Sequence, residues 1–141
     1  MDKLPRRKNI RFKNYDYSSN GFYFITICTY NKKFPIPEHR KEIENTLLNL
    51  PTRFSGVSVD YYNIMPTHIH VILIFKGVKV SLAQVVRTFK ALVSKATGEK
   101  DFWQRNYYEH VIRTEESLFK IREYIQNNPL IERIRFEQFY E

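Results

Sequence analysis

The sequence predicts an α+β domain in which helices pack on one face of an antiparallel sheet. Short β-branched and aromatic runs alternate with longer segments whose apolar residues recur at helical spacing. Two of the strand-like runs adjoin with only a turn between them, and longer helical segments connect the others. No internal repeat or Gly/Ser-rich linker divides the 141 residues, so one domain is expected over 1–141, with 1–20 as a basic N-terminal segment.

The first half of the chain predicts the order strand, helix, strand, strand. Phe22–Thr29 (FYFITICT) is β-branched and aromatic, as is typical of a strand. A helix is expected from about Glu38 to Leu50, with Pro51 as its limit. Residues 57–64 (VSVDYYNI) alternate as a strand does, and the turn MPT leads into the apolar run HIHVILIF, which fades at Lys76.

The second half predicts a helix, a strand and a last helix. Ser81 can cap the first of these helices, with a glutamine three residues later completing a capping box, and Gly98 is typical of a helix C-terminus. Residues 107–113 (YYEHVIR) alternate as a strand. Thr114 is a suitable N-cap for the last helix, and Pro129 is expected to end it. This order of elements predicts a ferredoxin-like antiparallel sheet with its helices packed on one face.

The charge of the chain indicates a polyanionic partner. Lys and Arg number 23 against 15 Asp and Glu, a formal net charge of +8. Such a balance favours nucleic acid, because neutralising phosphates releases counterions. Arg6, Arg7, Lys8 and Arg11 cluster near the N-terminus and are candidate DNA-binding residues. Charge alone leaves a second interpretation open, a solvated basic surface without a specific partner.

Cysteine content and hydropathy indicate the compartment. The single cysteine, Cys28, excludes an internal disulfide framework and fits a reducing environment. No stretch approaches the ~20 apolar residues that a membrane span needs, and the basic N-terminus lacks the apolar region of a secretory signal. A cytoplasmic, nucleoid-associated chain without membrane contact is expected.

Two histidines stand one residue apart where the apolar run THIHVILIF begins. Because side chains alternate across a strand, His68 and His70 share one face and Ile69 points to the other. Two imidazoles at this spacing can bind one metal ion, leaving room for a phosphate oxygen and water. Taken by itself, the pair favours a simpler interpretation, strand-end histidines hydrogen-bonded to the backbone.

The last predicted helix ends in REYIQNNP, which contains two further candidate groups. Tyr124 and Asn128 are four residues apart and therefore lie along one line of the helix. The amide oxygen of Asn128 is a suitable ligand for a hard divalent ion. The phenol of Tyr124 attacks phosphorus well only when it is deprotonated or polarised. Without other information, packing beside the core is the simpler interpretation of Tyr124.

The segment WQRNYYEH and the helix after Ser81 contain candidate contacts to DNA. Tyr107 and Tyr108 are candidate stacking residues, and stacking contributes roughly 1–3 kcal/mol per base. Arg105 is a candidate phosphate contact. Arg87 and Lys90 lie on the polar flank of the helix. The alternatives are packing in the core or at the sheet edge for the tyrosines, and a solvated face for the helix residues.

Several of these segments, in this order, resemble one known family. The segments MPTHIHVILI, WQRNYYEHVIR and YIQNNP, with YFITICTYNKKF and SLAQVVRTFKALVS, resemble the IS200-like single-tyrosine (Y1) transposases of the HUH endonuclease superfamily. The branch they resemble most is associated with repetitive extragenic palindromes (REP). The resemblance covers roughly residues 14–130. It implies a transposase that cleaves and rejoins single-stranded DNA through a 5′-phosphotyrosine intermediate.

The resemblance also implies the roles of individual residues. His68 and His70 match the family's metal-binding pair, Tyr124 its nucleophile and Asn128 its third ligand. The implied cofactor is Mg²⁺ or Mn²⁺, and the implied partner of a monomer or homodimer is single-stranded or hairpin DNA. Thr67 departs from the family, in which Asn more commonly precedes the first histidine. The alternative is a non-catalytic nucleic-acid-binding domain of the same fold.

Overall fold

The computed structural model describes residues 20–29, 36–100 and 102–127. Its strands are β1 Gly21–Cys28, β2 Val57–Ile64, β3 His68–Phe75 and β4 Tyr108–Ile112. Its α-helices are α1 Arg40–Leu48, α2 Leu50–Arg53, α3 Leu82–Thr97 and α4 Glu115–Asn127, with a 3-10 helix at Ile36–His39 before α1. These elements confirm the α+β class. No helix in the described ranges is long and apolar enough to cross a bilayer.

The four strands form one antiparallel sheet in the order β2-β3-β1-β4. Each crossover that contains a helix, β1 to β2 and β3 to β4, passes over one intervening strand. This is the split βαβ arrangement of a ferredoxin-like sheet, and it confirms the prediction. β1 and β3 are central and pair along their whole length, from Gly21 with Phe75 to Cys28 with His68.

One face of the sheet packs against α1 and α3. Alternate residues of the central strands, such as Ile25 and Val71, form a buried cluster with Leu47 of α1 and with Val86 and Phe89 of α3. Burying a side chain of this size stabilises the fold by ~1.5–3 kcal/mol relative to leaving it exposed. Among the described residues this cluster is the larger of two cores, and it fixes the two crossover helices on the same face.

The position of α4 differs from the expectation that all helices share one face. Phe24 and Ile72 point to the opposite face, where they pack with Ile121 and Ile125 of α4. Both faces of the central strands are apolar, so a single layer of helices would leave the second face in water. The sheet therefore lies between α1 and α3 on one side and α4 on the other.

The helix ends test the capping residues that the sequence predicts. The Ser81 hydroxyl accepts a hydrogen bond from Gln84 N at 3.1 Å, and Gly98 ends α3 with a φ of +76°. The Thr114 hydroxyl accepts from Ser117 N at 3.0 Å at the start of α4. These three signals are confirmed. The end of α4 that Pro129 is expected to impose lies outside the described residues.

The prediction that Pro51 limits the first helix is wrong. α1 ends at Leu48, and the short helix α2 then carries Pro51 in its first turn. Proline is compatible with this position because a first-turn N–H has no acceptor within the helix, and the fixed φ of proline already suits a helix.

Lys90 of α3 holds the connection that enters β4. Its Nζ donates hydrogen bonds to the carbonyl oxygens of Gln104, Arg105 and Asn106, at 2.8, 3.0 and 3.4 Å. It also lies 5.8 Å from the centre of the Tyr107 ring. Burial lowers the pKa of Lys90 to about 8. Lys90 thus orders a loop instead of lying on the solvated helix face expected from its sequence position.

Gly56 lies beside the end of β3 that is opposite the histidines, and we expect that alanine is not tolerated at this position. Its carbonyl accepts from Lys76 N at 2.9 Å, its φ is +93°, and an added Cβ would collide with the Lys76 carbonyl oxygen. We expect Gly56→Ala to lower the free energy of unfolding by about 2–4 kcal/mol in urea denaturation followed by circular dichroism. Gly98→Ala is the matched control, because φ is +76° there but no atom lies within 4 Å of the added Cβ. Equal losses would contradict the predicted collision.

Lys90 should make the stability of the fold depend on alkaline pH. Its pKa is about 8 in the folded chain against 10.5 for a free lysine, so the unfolded chain binds more protons between these values. We therefore expect the difference in unfolding free energy between wild type and Lys90→Met to shift in favour of wild type as pH rises from about 8 to 10.5. Urea titrations across this range measure the difference. A difference that stays constant or falls would contradict the prediction.

Candidate active site

Strand β3 places two imidazoles side by side on the face covered by α4. The ring centres of His68 and His70 are 4.8 Å apart, with 73° between the ring planes. His68 is half-buried, whereas His70 is only 2% exposed. The alternation of side chains expected from the sequence therefore brings the two candidate ligands together at the N-terminal end of the central strand β3.

Two threonine hydroxyls orient the imidazole rings. Thr26 is the cross-strand partner of His70, and its hydroxyl oxygen lies 2.9 Å from His70 Nδ1 in the buried interior. The Thr67 hydroxyl lies 3.4 Å from Nδ1 of His68. When a threonine oxygen accepts the Nδ1 proton, Nε2 carries the lone pair that binds a metal ion. Sequence patterns missed Thr26, because its role depends on the pairing of β1 with β3.

The candidate nucleophile lies against the histidine pair. Tyr124 of α4 is 4% exposed, and its ring centre is 5.4 Å from that of His70. Phe24 lies beneath both rings, 5.7 Å from His70 and 6.4 Å from Tyr124, centre to centre. His70 and Tyr124, which are 54 positions apart in sequence, are thus buried side by side against Phe24.

The donors that the structure describes fit part of a metal site. His68 and His70 supply two imidazoles, a donor type that suits several divalent transition metals. Within the described ranges, no three His, Cys, Asp or Glu residues lie close enough to hold a metal ion. A third ligand of another type is compatible with this result. Asn128, the third ligand that the resemblance implies, lies outside the described residues.

The candidate DNA-binding residues fall into three groups. Arg105 is exposed on the loop that Lys90 orders. Tyr107 and Tyr108 are 9% and 2% exposed and pack in the cores on opposite sides of the sheet. Stacking needs an open ring face, so the prediction that these two tyrosines stack on bases is not supported by their burial. The basic residues of the N-terminal segment, Arg6, Arg7, Lys8 and Arg11, lie outside the described residues.

Comparison with solved structures identifies the same fold in transposases. A structure of a REP-associated tyrosine transposase bound to a REP hairpin superposes with a TM-score of 0.77 and 20% identity, covering 87% of this chain and 74% of that one. A crystal structure of a candidate transposase from Deinococcus radiodurans superposes with a TM-score of 0.56 and 16% identity, covering 84% of this chain and 96% of that one. At these identities the two likenesses show the fold.

Sequence comparison shows the family. An uncharacterised protein of Haemophilus influenzae is 36% identical over 163 aligned positions, which cover 91% of each chain. The family model described as "Transposase IS200 like" matches residues 17–128, a range that includes both histidines, Tyr124 and Asn128. The chain therefore belongs to the IS200-like family of DNA transposases.

Proposed function

We propose that this transposase cleaves and rejoins single-stranded DNA through a covalent phosphotyrosine, with Tyr124 as the nucleophile. The observation that carries the proposal is the contact between α4 and β3, where the Tyr124 ring lies 5.4 Å from that of His70. A phenol beside a pair of candidate metal ligands is the constellation that phosphoryl transfer to tyrosine needs. The family of the chain supports the same reaction class.

The proposed step is a balanced exchange of one phosphodiester for another. The Tyr124 oxygen forms a bond to the scissile phosphorus as the bond to the 3′-oxygen breaks. The products are a 5′-phosphotyrosine and a free 3′-hydroxyl, because the phenol oxygen gives up its proton and the departing 3′-oxygen takes one up. A second 3′-hydroxyl can attack the phosphotyrosine and release Tyr124, so strands are rejoined without ATP.

His68 and His70, with Asn128 as the third ligand, would hold a divalent ion, Mg²⁺ or Mn²⁺. When bound, such an ion supplies charge stabilisation to the phosphate under attack. Thr26 and Thr67 would keep the two rings turned so that Nε2 is the donor atom. Donor chemistry and ring orientation, both properties of this chain's own residues, support this assignment.

The proposed substrate is single-stranded DNA that contains a hairpin. The net charge of +8 favours DNA, and the REP-associated transposase of similar fold is bound to a REP hairpin. Arg105 and the basic residues of the N-terminal segment, Arg6, Arg7, Lys8 and Arg11, would contact phosphates. Since Tyr107 and Tyr108 are buried, we assign them to packing and not to base stacking.

Replacing the candidate nucleophile should abolish the covalent adduct and leave DNA binding intact. We expect wild type, incubated with labelled hairpin-containing single-stranded DNA and Mn²⁺, to form an adduct that survives a denaturing gel. Tyr124→Phe should form none, because only the attacking oxygen is removed. Tyr62→Phe is a matched control, since Tyr62 packs on the opposite face with α1.

Two results would contradict the proposal, and they have different meanings. An equal amount of adduct from Tyr124→Phe and wild type would show that another residue is the nucleophile. DNA binding by wild type without any adduct would favour the alternative function, a nucleic-acid-binding domain that does not cut.

Thr26 should contribute to metal binding without touching the metal. We expect the nearly isosteric Thr26→Val to weaken Mn²⁺ binding by about 10–100-fold in isothermal titration calorimetry, because the His70 ring loses the hydroxyl that orients it. Thr46→Val removes a comparable hydroxyl that donates to Glu42 O in α1, far from the sheet face with the histidines, and should leave Mn²⁺ binding unchanged. Equal Mn²⁺ affinities for wild type and Thr26→Val would exclude this orienting role.

A further inference from the structure

We propose that Asp60 and Arg122 are positioning residues that set where α4, and with it Tyr124, lies over the histidine strand. This inference rests on the proposed role of Tyr124 as nucleophile. Arg122 precedes Tyr124 by two residues on α4, whereas Asp60 belongs to β2. The pair therefore joins the helix of the nucleophile directly to the sheet.

The geometry of the pair is that of a directional clamp. Arg122 Nε donates to Asp60 Oδ2 at 2.9 Å, and Arg122 Nη2 donates to Asp60 Oδ1 at 2.7 Å. Two parallel charge-assisted hydrogen bonds fix both distance and orientation, which a single contact between flexible side chains does not. The side chains are 33% and 13% exposed, so the clamp is partly shielded from solvent.

Alternation from Val59 puts Asp60 on the α4 face of β2, and an irregularity at Asp60 keeps Tyr61 on that face too. The pairing of β2 with β3 shifts at Asp60, since Val59 pairs with Leu73 while Tyr61 pairs with Ile72. The extra residue is a β-bulge, a feature that re-aims side chains and is frequent beside active sites. After the bulge, Tyr61 packs in the core under α4. Without it, Tyr61 would point to the opposite face.

A second contact from β2 holds α4 on the other side of Tyr124. Asn63, which pairs with His70 across β2 and β3, donates from Nδ2 to the carbonyl oxygen of Ile125 at 3.0 Å. In a continuing α-helix, the donor to this carbonyl would be the N–H of residue 129, but Pro129 has none. The Asn63 amide supplies a donor to this carbonyl from the sheet.

The two contacts add what apolar packing alone does not give. Burial of Ile121 and Ile125 holds α4 on the sheet, but the hydrophobic effect is non-directional and tolerates small shifts. In-line attack does not tolerate them, since a displacement of ~1 Å can cost about 100-fold in rate. Directional contacts at Arg122 and Ile125 bracket Tyr124 and limit such shifts.

The test compares variants of the clamp with an ion pair on the same helix that does not reach the sheet. Asp60→Asn keeps the shape and removes the charge, and Arg122→Lys keeps the charge and removes the fork. Glu116→Gln is the matched control, because Glu116 forms an ion pair with the exposed Lys120 one turn away on the same helix. All three are assayed for single-turnover adduct formation at saturating hairpin DNA, for DNA affinity by fluorescence anisotropy, and for melting temperature.

We expect Asp60→Asn and Arg122→Lys to slow adduct formation by about 10–100-fold, with DNA affinity within about twofold of wild type. Glu116→Gln should react at the wild-type rate. The exchanged pair Asp60→Arg with Arg122→Asp should react faster than Arg122→Asp alone. Wild-type rates in both clamp variants would overturn the inference, as would a rate loss fully explained by a smaller folded fraction at the assay temperature.

A readout that does not need cleavage separates this inference from the proposed function. Hydrogen exchange of the α4 amides should be faster in Asp60→Asn than in wild type, while exchange in β1 and β3 stays unchanged. The nuclear Overhauser contact between the Tyr124 and His70 rings should weaken in the same variant. If wild type forms no adduct, the role of Tyr124 fails, and unchanged exchange and ring contacts would overturn the clamp itself.

Discussion

The pairing of β1 with β3 is the constraint on which the site depends. In this register His70 faces Thr26, and both histidines point to the side covered by α4. Because side chains alternate along a strand, a slip of one residue would carry both imidazoles into the core beneath α1 and α3. Six of the eight paired positions have an aromatic or branched aliphatic residue on at least one strand, and this pattern makes such a slip costly. The same hydrophobic pattern that stabilises the sheet therefore also orients the candidate ligands.

The two faces of the sheet have different tasks. The face beneath α1 and α3 is an apolar core, whereas the face beneath α4 combines apolar packing with the groups that could react. Tyr124 contributes to the apolar packing and is also one of the groups that could react, since it is buried against Phe24 and lies beside His70. A polar group in such surroundings is held more firmly than one on a loop, and charges that develop there are less screened by water. The rigidity of α4 and the chemistry of the site are thus linked.

Local signals predicted much of the fold and the central elements of the candidate site. The alternation that puts His68 and His70 together and the caps at Ser81 and Thr114 depend only on neighbouring residues. The face chosen by α4 and the burial of Tyr107 depend on packing between distant segments, which no local pattern contains. Pro51 shows a third kind of difference, because the same residue can follow one helix or open the next.

β2 links the two halves of the candidate site in a way that only the structure reveals. Asp60 accepts a hydrogen bond from Arg122 at the bulge, and Asn63, later in the same strand, pairs with His70 and donates to the carbonyl of Ile125. The edge strand β2 therefore contacts both α4, which contains Tyr124, and β3, which contains the histidines, and it positions one relative to the other. A disturbance of β2 at Asp60 would move Tyr124 relative to His70 while leaving the β1–β3 pairing intact. The pairing of β1 with β3 thus forms the sheet, whereas β2 aligns the nucleophile. This difference explains why a polar, irregular strand lies beside a site that is otherwise built from regular elements.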